Sequence, residues 1–333
     1  MTTWNVDPRA ERLHRAAIVW DNHTCLPLRP DDAFLPQLER FHRSGATMVV
    51  ANVMFDNAIP WPEGVKVLAH FRRWILGRPD RYRLAGSVDD ILRAKAEGQL
   101  AVAFDIEGMA ALDGQVSMVS TYYDLGVRWM LIAYNRNNLA GGGCMDDDGG
   151  LTAFGREVIH EMARVGMMLC CSHTGERTCR DAFACSPNPV LLSHSNPRAL
   201  VDHPRNVTDD LMRACAETGG VVGINGYGKF LQHGDASTEN YVRHIDYAVS
   251  VVGPEHVSIA LDYVFDTEEL AAWLQNTTLF PFDAGAPAGL PQMVEPEQLP
   301  AITERLLALG YADEHVRAIL GENLLRVARQ VWK

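Results

Sequence analysis

Two Ser-His pairs, each at the end of a short apolar run, carry the residue types of this chain best suited to chemistry. Residues 167–171 lead through one serine into His173, and residues 190–192 lead through another into His194. The chain between them has room for one helix and two turns, so the pattern predicts two parallel strands joined by a helical crossover. Both imidazoles would then lie at the carboxyl edge of one sheet, where parallel sheets hold their functional groups. Two neutral imidazoles at that edge predict a site for zinc or a similar metal.

Other predicted strands also end on polar side chains. These residues are Asp21, His23, Cys25, Glu107, Tyr134 and Asp262. Imidazoles and a carboxylate can hold a metal, a metal-bound water becomes hydroxide near neutral pH, and a further carboxylate can move protons. A glutamate at the end of a buried strand is costly unless it is paired, so a metal is the expected partner of Glu107.

The elements that must position these residues alternate along the chain. The predicted strands are residues 16–20, 46–53, 100–106, 127–133, 167–171, 190–192, 220–225 and 257–261, and the helices between them include residues 31–44, 152–165, 209–218 and 239–252. This alternation predicts a (β/α)8 TIM barrel formed as one domain over residues 1–333, with two further helices in residues 302–332. A doubly wound sheet is the alternative, but the chain lacks a dinucleotide fingerprint, a P-loop and a GxSxG sequence.

Composition limits the classes of function. The 333 residues are 47% hydrophobic and 22% charged, as in an ordinary soluble protein, and the formal net charge of −12 argues against a nucleic-acid partner. No stretch has membrane-spanning length and the first residues lack an apolar leader segment, so we expect a cytoplasmic protein that does not bind membranes. The seven cysteines follow no disulfide spacing and are expected to be reduced thiols.

Two connections stand out by composition. Residues 141–150 combine five glycines with three aspartates, which lack the spacing of a calcium loop and predict a solvated acidic lid. Residues 280–300 are rich in proline and alanine and predict a long surface connection.

Several longer stretches resemble one family. They are DNH in residues 21–23, DIEG in residues 105–108, GLTAFGREVIHEMARVGMMLCCSH in residues 150–173, LLSHSNPRALVDHPRN in residues 191–206 and ILGENLLRVARQVW in residues 319–332. Together they are similar to the renal (membrane) dipeptidase family of zinc peptidases, which are metal-dependent barrels of the amidohydrolase type. The resemblance covers nearly the whole chain.

The resemblance implies a role for each candidate site residue. Glu107 would bridge two zinc ions, with His173 and His194 on one ion and His23 on the other. Asp262 would be the catalytic carboxylate that moves protons beside a bridging hydroxide. Arg205 would bind a substrate carboxylate, to which its forked guanidinium is suited, and Tyr134 and Asn135 would face the substrate. The family also implies a homodimer.

Two positions depart from the family. Its first motif is His-x-Asp, but the position of the aspartate holds Cys25, which is either a substitute thiolate ligand or a lost ligand; in the second case the protein would carry one zinc instead of two. Where the family has a histidine that steadies the oxyanion, this chain has Tyr134, whose phenol can also donate a hydrogen bond, with a different reach. For Arg205, the alternative is an ion pair with Asp202, Asp209 or Asp210.

Three hypotheses follow. The first is a zinc-dependent hydrolase that cleaves a small amide, foremost a dipeptide with a free carboxylate, by attack of a metal-bound hydroxide. The second is a specialised amidase with a modified or mononuclear metal site and a substrate other than a dipeptide, motivated by Cys25 and Tyr134. The third is a metal-binding protein without catalysis; the presence of Asp262 argues against it, because a binding protein has no need of a proton shuttle.

Overall fold

Strands and helices alternate through the chain that the computed structural model describes, which is residues 3–280 and 292–333. The strands are β1 (Trp20–Cys25), β2 (Met48–Phe55), β3 (Tyr82–Leu84), β4 (Leu100–Glu107), β5 (Val127–Leu131), β6 (Met168–Cys170), β7 (Val190–Leu192), β8 (Val221–Asn225), β9 (Val257–Ala260) and β10 (Tyr263–Val264). The α-helices are α1 (Pro8–Ala16), α2 (Leu38–Arg43), α3 (Trp61–Leu76), α4 (Val88–Glu97), α5 (Met118–Asp124), α6 (Ala153–Val165), α7 (Glu176–Cys185), α8 (Asp209–Glu217), α9 (Thr238–Val252), α10 (Thr267–Trp273), α11 (Leu299–Ala308), α12 (Asp313–Arg317) and α13 (Asn323–Val331). In the described ranges, no helix is both long enough and apolar enough to cross a bilayer.

The strands close into a parallel barrel. Their order is β10-β1-β2-β4-β5-β6-β7-β8-β9, and β3 pairs with the first residues of β4. Strand β9 pairs with β8, while β10, which follows β9 after Leu261 and Asp262, pairs with β1. Strands β9 and β10 are therefore two halves of one interrupted strand, and eight strand segments form the ring. This arrangement confirms the predicted (β/α)8 barrel.

A buried carboxylate helps to close the ring at this interruption. The backbone N–H of Leu261 donates to Asp21 Oδ1 at 2.7 Å, and the backbone N–H of Asp262 donates to the carbonyl of His23 at 2.9 Å. The Asp21 side chain thus takes the place of a backbone acceptor where the two halves of the strand separate.

The predicted elements are largely confirmed, with three differences. The first strand begins at Trp20, not at residue 16, so His23 and its polar neighbours lie inside the strand; their burial is possible because they face one another in the barrel. The helix predicted over residues 31–44 is confined to α2, because Pro36 restricts the preceding segment to a 3-10 turn. Strand β3 was not predicted. Of the predicted surface connection over residues 280–300, residues 281–291 lie outside the described residues.

Two apolar layers leave one end of the barrel open. One layer, which includes Val49 and Val102, lies between the strands and the surrounding helices. The alternate strand residues, such as Met48 and Ala101, point inward and pack against α13 and Trp332. The C-terminal helix therefore covers the amino ends of the strands, and the carboxyl ends remain as the mouth.

A buried histidine ties the first helix to the rest of the fold. His14 is fully buried, its Nε2 donates to the Ser44 carbonyl at 2.8 Å, and its Nδ1 lies 2.7 Å from Thr303 Oγ1. Burial lowers the pKa of His14 to about 4, although the bond to Ser44 acts in the opposite direction.

This burial predicts a pH-dependent loss of stability. Between pH 6.5 and 4 the unfolded chain binds a proton at His14 and the folded chain does not, so the contribution of His14 is complete above pH 6.5 and falls by about 3 kcal/mol as the pH drops to 4. Urea unfolding at a series of pH values should show that His14→Gln has a shallower decline in unfolding free energy over this range. The exposed control His315→Gln should keep the wild-type decline, and an unchanged decline in His14→Gln would contradict the assignment.

Candidate metal centre and active site

The carboxyl ends of the strands bring the predicted metal-binding residues together. His173 Nε2 lies 3.0 Å from His194 Nε2, and Glu107 Oε1 lies 3.4 Å from the first of these atoms and 3.1 Å from the second. His23 Nε2 lies 3.7 Å from Glu107 Oε1 and 3.4 Å from Asp262 Oδ1. Two overlapping groups of side chains have the spacing to hold a cation: Glu107 with His173 and His194, and Asp262 with His23 and His194.

All three histidines turn Nε2 toward the cluster and keep Nδ1 for a protein partner. The Nδ1 contacts are His23 with Asp105 Oδ2 at 3.2 Å, His173 with Asn135 Oδ1 at 2.7 Å, and His194 with Ser193 Oγ at 2.7 Å. Carboxylate and amide oxygens only accept hydrogen bonds, so His23 and His173 keep a proton on Nδ1 and leave Nε2 as the atom that can bind a cation. Such outward contacts are typical of metal-binding histidines.

The charges of the cluster are unbalanced. Burial raises the pKa of Glu107 to about 8, and Glu107 Oε1 has no hydrogen-bond partner among the described side chains. Burial also holds the pKa values of His173 and His194 well below normal, so both rings are neutral. For His23, burial lowers the pKa but the nearby carboxylates of Asp105 and Glu107 outweigh it and raise the value.

This set of side chains fits a divalent cation. A buried carboxylate oxygen without a partner and two neutral imidazole nitrogens face one another at short distances. Zinc prefers these nitrogen and oxygen ligands, and a cation would supply the positive charge that the buried carboxylate lacks.

Cys25 lies beside the second group of potential ligands. Its Sγ is 3.5 Å from His23 Nε2 and donates to Asp262 Oδ1 at 3.5 Å. Burial raises the pKa of this thiol, so in the absence of a cation it stays protonated, whereas coordination would deprotonate it. The location suits a substitute ligand, and the choice between a substitute and a lost ligand stays a prediction.

Three site residues have a left-handed backbone conformation. Asn135, His173 and Asp262 have φ values of 60°, 59° and 52°, in the left-handed region that side chains other than glycine rarely adopt. Strain of this kind persists where the surrounding structure imposes it, often at functional sites. Asp262 is further held by Asn225 Nδ2, which donates to its Oδ2 at 2.7 Å and leaves Oδ1 toward His23.

Tyr134 lines the cavity and stacks on a predicted metal ligand. Its ring centroid lies 4.0 Å from that of His173 and 4.6 Å from that of Phe55, on nearly parallel planes. Burial, reinforced by Glu107 and Asp262, raises the pKa of its phenol well above normal, so the hydroxyl stays neutral and able to donate a hydrogen bond.

Asn135 uses its side chain mainly to hold other residues. Its Oδ1 contacts His173 as described, and its Nδ2 donates to the Leu279 carbonyl at 3.1 Å. The predicted role in substrate binding stays a prediction, but these contacts support a role in positioning His173.

The acidic loop behind Asn135 is not the solvated lid that its composition predicted. Asp146 pairs with Arg136 at 2.6 Å, and Asp148 accepts a hydrogen bond from the Thr178 backbone at 3.0 Å. Gly143 lies so close to the backbone of Asn135 that a Cβ atom would be 2.2 Å from its carbonyl carbon. The glycines allow the loop to pack tightly against Asn135, which composition alone did not reveal.

Arg205 is a buried cation that has no carboxylate partner among the described residues. It is 2% exposed, and its two terminal nitrogens donate to Ser195 Oγ at 3.2 Å and to the His194 carbonyl at 2.7 Å. The ion pair considered from the sequence is not found in the described ranges, since Asp209 accepts from Tyr247 and Asp210 pairs with Arg213. Its Nε also has no acceptor among described residues, so the guanidinium remains available to an anion.

Asp105 is the main functional candidate that sequence reasoning missed. It is fully buried, contacts His23 Nδ1, and accepts from Asn52 Nδ2 at 2.9 Å. The available signal was strand alternation: Asp105 and Glu107 are two residues apart on β4 and therefore face the same interior.

The residues of the candidate site surround the base of one cavity, whose volume is about 860 Å3 including its open mouth. Its lining includes Arg205, Tyr227, Phe230 and Tyr134, together with Cys25, Glu107, His173 and Asp262 of the candidate site. The volume is in the range of small-molecule sites.

Comparison with known proteins agrees with this geometry. The model of the family described as membrane dipeptidase (peptidase family M19) matches residues 63–279, which include Glu107, His173, His194 and Asp262. An uncharacterized protein in the pqqA 5′ region of Klebsiella pneumoniae is 32% identical over 278 residues, covering 80% of this chain and 95% of that protein. An uncharacterized dipeptidase of Schizosaccharomyces pombe, C965.12, is 31% identical over 79% of this chain, which spans 60% of its length.

A solved structure extends the similarity to almost the whole fold. The crystal structure of an amidohydrolase from Pseudomonas aeruginosa superposes with a TM-score of 0.86 at 29% identity, covering 97% of this chain and 99% of that one. The family match covers more than half of the present sequence, and the relative from Klebsiella pneumoniae is similar over most of its length. The chain therefore belongs to the membrane dipeptidase family.

Proposed function

We propose that this protein is a metal-dependent hydrolase of a small amide that carries a free carboxylate, foremost a dipeptide. The observation that carries the proposal is the juxtaposition of two incomplete charges at the base of one cavity. Among the described residues, Glu107 Oε1 has no hydrogen-bond partner, and Arg205, which bonds to the backbone of His194, has no acceptor for its Nε. A divalent metal and a substrate carboxylate would satisfy both.

The residues of the chain supply the other parts of the reaction. His23, Glu107, His173 and His194 would hold the metal, with Cys25 as a possible further ligand. When bound, the metal polarises the scissile carbonyl and makes water more acidic. Arg205 would bind the substrate carboxylate and thereby orient the amide.

Asp262 is the proposed proton carrier. Its Oδ1 points into the cluster while Asn225 fixes its other oxygen. A water oxygen would bond to the amide carbon, Asp262 would take a proton from that water, and the same proton would pass to the nitrogen as the C–N bond breaks. The neutral Tyr134 hydroxyl would donate to the carbonyl oxygen as negative charge develops there.

A second candidate is an amidase whose substrate is not a dipeptide. The observation that favours it is the aromatic stacking of Tyr134 on Phe55 and His173, which fixes the direction of the phenol at a position where the family has a histidine. A binding protein without catalysis is the third possibility. Substrate panels and metal content separate the three.

The identity and number of the metal ions belong to the same proposal. Histidine and carboxylate ligands support zinc. Elemental analysis that finds two ions per chain would support a binuclear site with Cys25 as a ligand, and one ion would support a site at His173 and His194. A chain that binds no ion would contradict the metal centre. Cytoplasmic location and a homodimer also stay predictions, which cell fractionation and light scattering would test.

The proposed function predicts metal-dependent amide hydrolysis. Zinc-loaded protein should cleave members of a panel of L,L-, L,D- and N-modified dipeptides, because the Glu107 cluster is complete only with a cation. Chelation should abolish product formation, measured by chromatography, and added zinc should restore it. No metal-dependent cleavage across the panel would refute the proposed function.

Removing the carboxylate behind His23 should weaken metal binding. Asp105→Asn replaces a charged acceptor with a neutral amide, and loss of such outer contacts typically costs 10- to 100-fold in metal affinity. Competition with a chelating dye would measure the change. The exposed control Asp80→Asn should bind as wild type, and equal affinity in both variants would remove Asp105 from the site.

Arg205→Ala should weaken recognition of the substrate carboxylate. A hydrogen bond to a charged group contributes about 1.5–3 kcal/mol, so kcat/KM for a cleaved dipeptide should fall roughly 10- to 100-fold. The decisive measurement compares the dipeptide with its C-terminal amide: wild type should prefer the acid and Arg205→Ala should not. Arg213→Ala, an exposed change on α8, is the matched control. A retained preference for the acid in Arg205→Ala would place the carboxylate elsewhere.

A further inference from the structure

Opposite sides of the cavity mouth have different chemistry. In the ring of eight strand segments, β7, which precedes the segment that carries Arg205, is four positions from β2, which ends at Phe55. Glu107, on β4, and His173, which follows β6, come from strands between these two. The buried guanidinium and Phe55 therefore lie on opposite sides of the metal-site residues.

The side near Phe55 is an aromatic wall, formed by Phe55, Tyr134, Trp273 and Phe280. The Phe55 ring stacks on Tyr134 at 4.6 Å and meets the Trp273 ring edge-on at 5.5 Å. The Phe280 ring meets Tyr134 edge-on at 6.2 Å. All four side chains line the cavity, where Leu270 and Leu274 extend the apolar surface.

Two described carboxylates close in sequence to this wall already have hydrogen-bond partners. Asp56, which follows Phe55, accepts from Asn138 Nδ2 at 2.7 Å and from the Ala110 backbone at 3.0 Å. Glu269 lines the cavity, but its oxygens accept from the Leu28 backbone at 3.1 Å and from Arg29 at 3.0 Å. The wall thus presents aromatic ring faces and edges together with aliphatic side chains, a surface on which a large apolar or aromatic group packs well.

The length of a small amide fixes which half meets the wall. If the substrate carboxylate binds Arg205 and the amide carbonyl lies over Glu107, as the proposed function requires, the amine half of the substrate spans that interval. The acyl half then extends beyond the cluster, past Tyr134, which stacks on His173, toward Phe55 and Trp273.

From this arrangement we infer that the aromatic wall is a specificity site for a large apolar or aromatic group on the acyl half of the substrate, and that Phe55 and Trp273 determine the preference. The inference rests on the proposed function. An aminoacyl group such as phenylalanyl and an N-acyl group without an amine share this chemistry.

The test compares acyl groups on a constant glycine. Wild type should cleave L-Phe-Gly with a kcat/KM about 30- to 100-fold above that for Gly-Gly, as burial of an aromatic side chain predicts. In Trp273→Ala, kcat/KM for L-Phe-Gly should exceed that for Gly-Gly by no more than about 5-fold, mainly because kcat/KM for L-Phe-Gly falls. Trp273→Phe should restore most of the wild-type preference for L-Phe-Gly. The same comparison of kcat/KM between hydrocinnamoyl-glycine and acetyl-glycine tests the preference with substrates that lack an amine.

The matched control is Trp61→Ala. Trp61 begins α3 and its indole donates to Asp113, away from the cavity lining. This variant should keep the wild-type ratio, so a general loss of stability is distinguished from a change at the wall.

The outcomes separate this inference from the proposed function. Cleavage of L-Phe-Gly and Gly-Gly at similar rates, or a ratio unaffected by Trp273→Ala, would overturn the inference while the function stands. If no substrate is cleaved, the function fails, and calorimetric binding of hydrocinnamoyl-glycine decides the inference alone. Binding that is tighter than that of acetyl-glycine in wild type, and equal to it in Trp273→Ala, would support the wall as a binding site; equal binding in wild type would refute it.

Discussion

The concentration of buried carboxylates at one end of the barrel is the constraint on which the rest of the structure depends. Asp105 and Glu107 point inward from the same strand, and Asp21 is buried beside them on β1. Burial raises the pKa values of all three, which shows that ionisation there is costly without positive charge. The imidazole of His23 offsets part of this charge, and a divalent cation held by Glu107 would offset more while joining strands that are distant in sequence.

The barrel supports this cluster with backbone geometry that would be unfavourable elsewhere. Asp262 takes a left-handed conformation within the interrupted strand, and the same break lets Asp21 accept from Leu261. At the opposite end, α13 packs on the inward-facing residues and covers the strand starts. Of the two barrel ends, as far as the described residues show, the mouth that carries the polar residues is the one left open to ligands, which separates the stabilising end of the fold from the functional end.

The sequence predicted the fold and the meeting of the imidazoles because both depend on repeated local patterns. Strand and helix alternation was sufficient for the barrel, and the two Ser-His pairs were sufficient to place His173 beside His194. The first strand was predicted to end at residue 20, because polar residues such as those that follow are typical of an exposed segment. In the structure, these polar residues are buried against one another inside β1. The missing partner of Arg205 depends on which side chains surround it in three dimensions, and no local pattern contains that information.

Tyr134, which stands where the family has a histidine, is coupled to the metal site together with the next residue, Asn135. Successive residues of a strand normally point to opposite faces. Tyr134 and Asn135 lie beyond the end of β5 at Leu131, so this alternation does not apply to them: Tyr134 stacks on His173 while Asn135, which has a left-handed conformation, bonds to its Nδ1. The segment after β5 thus contributes Tyr134 to the aromatic wall and, through Asn135, orients the proposed ligand His173. A substitution of Tyr134 that changes substrate preference therefore also changes the packing of the His173 ring and of Phe55, which stacks on the same tyrosine.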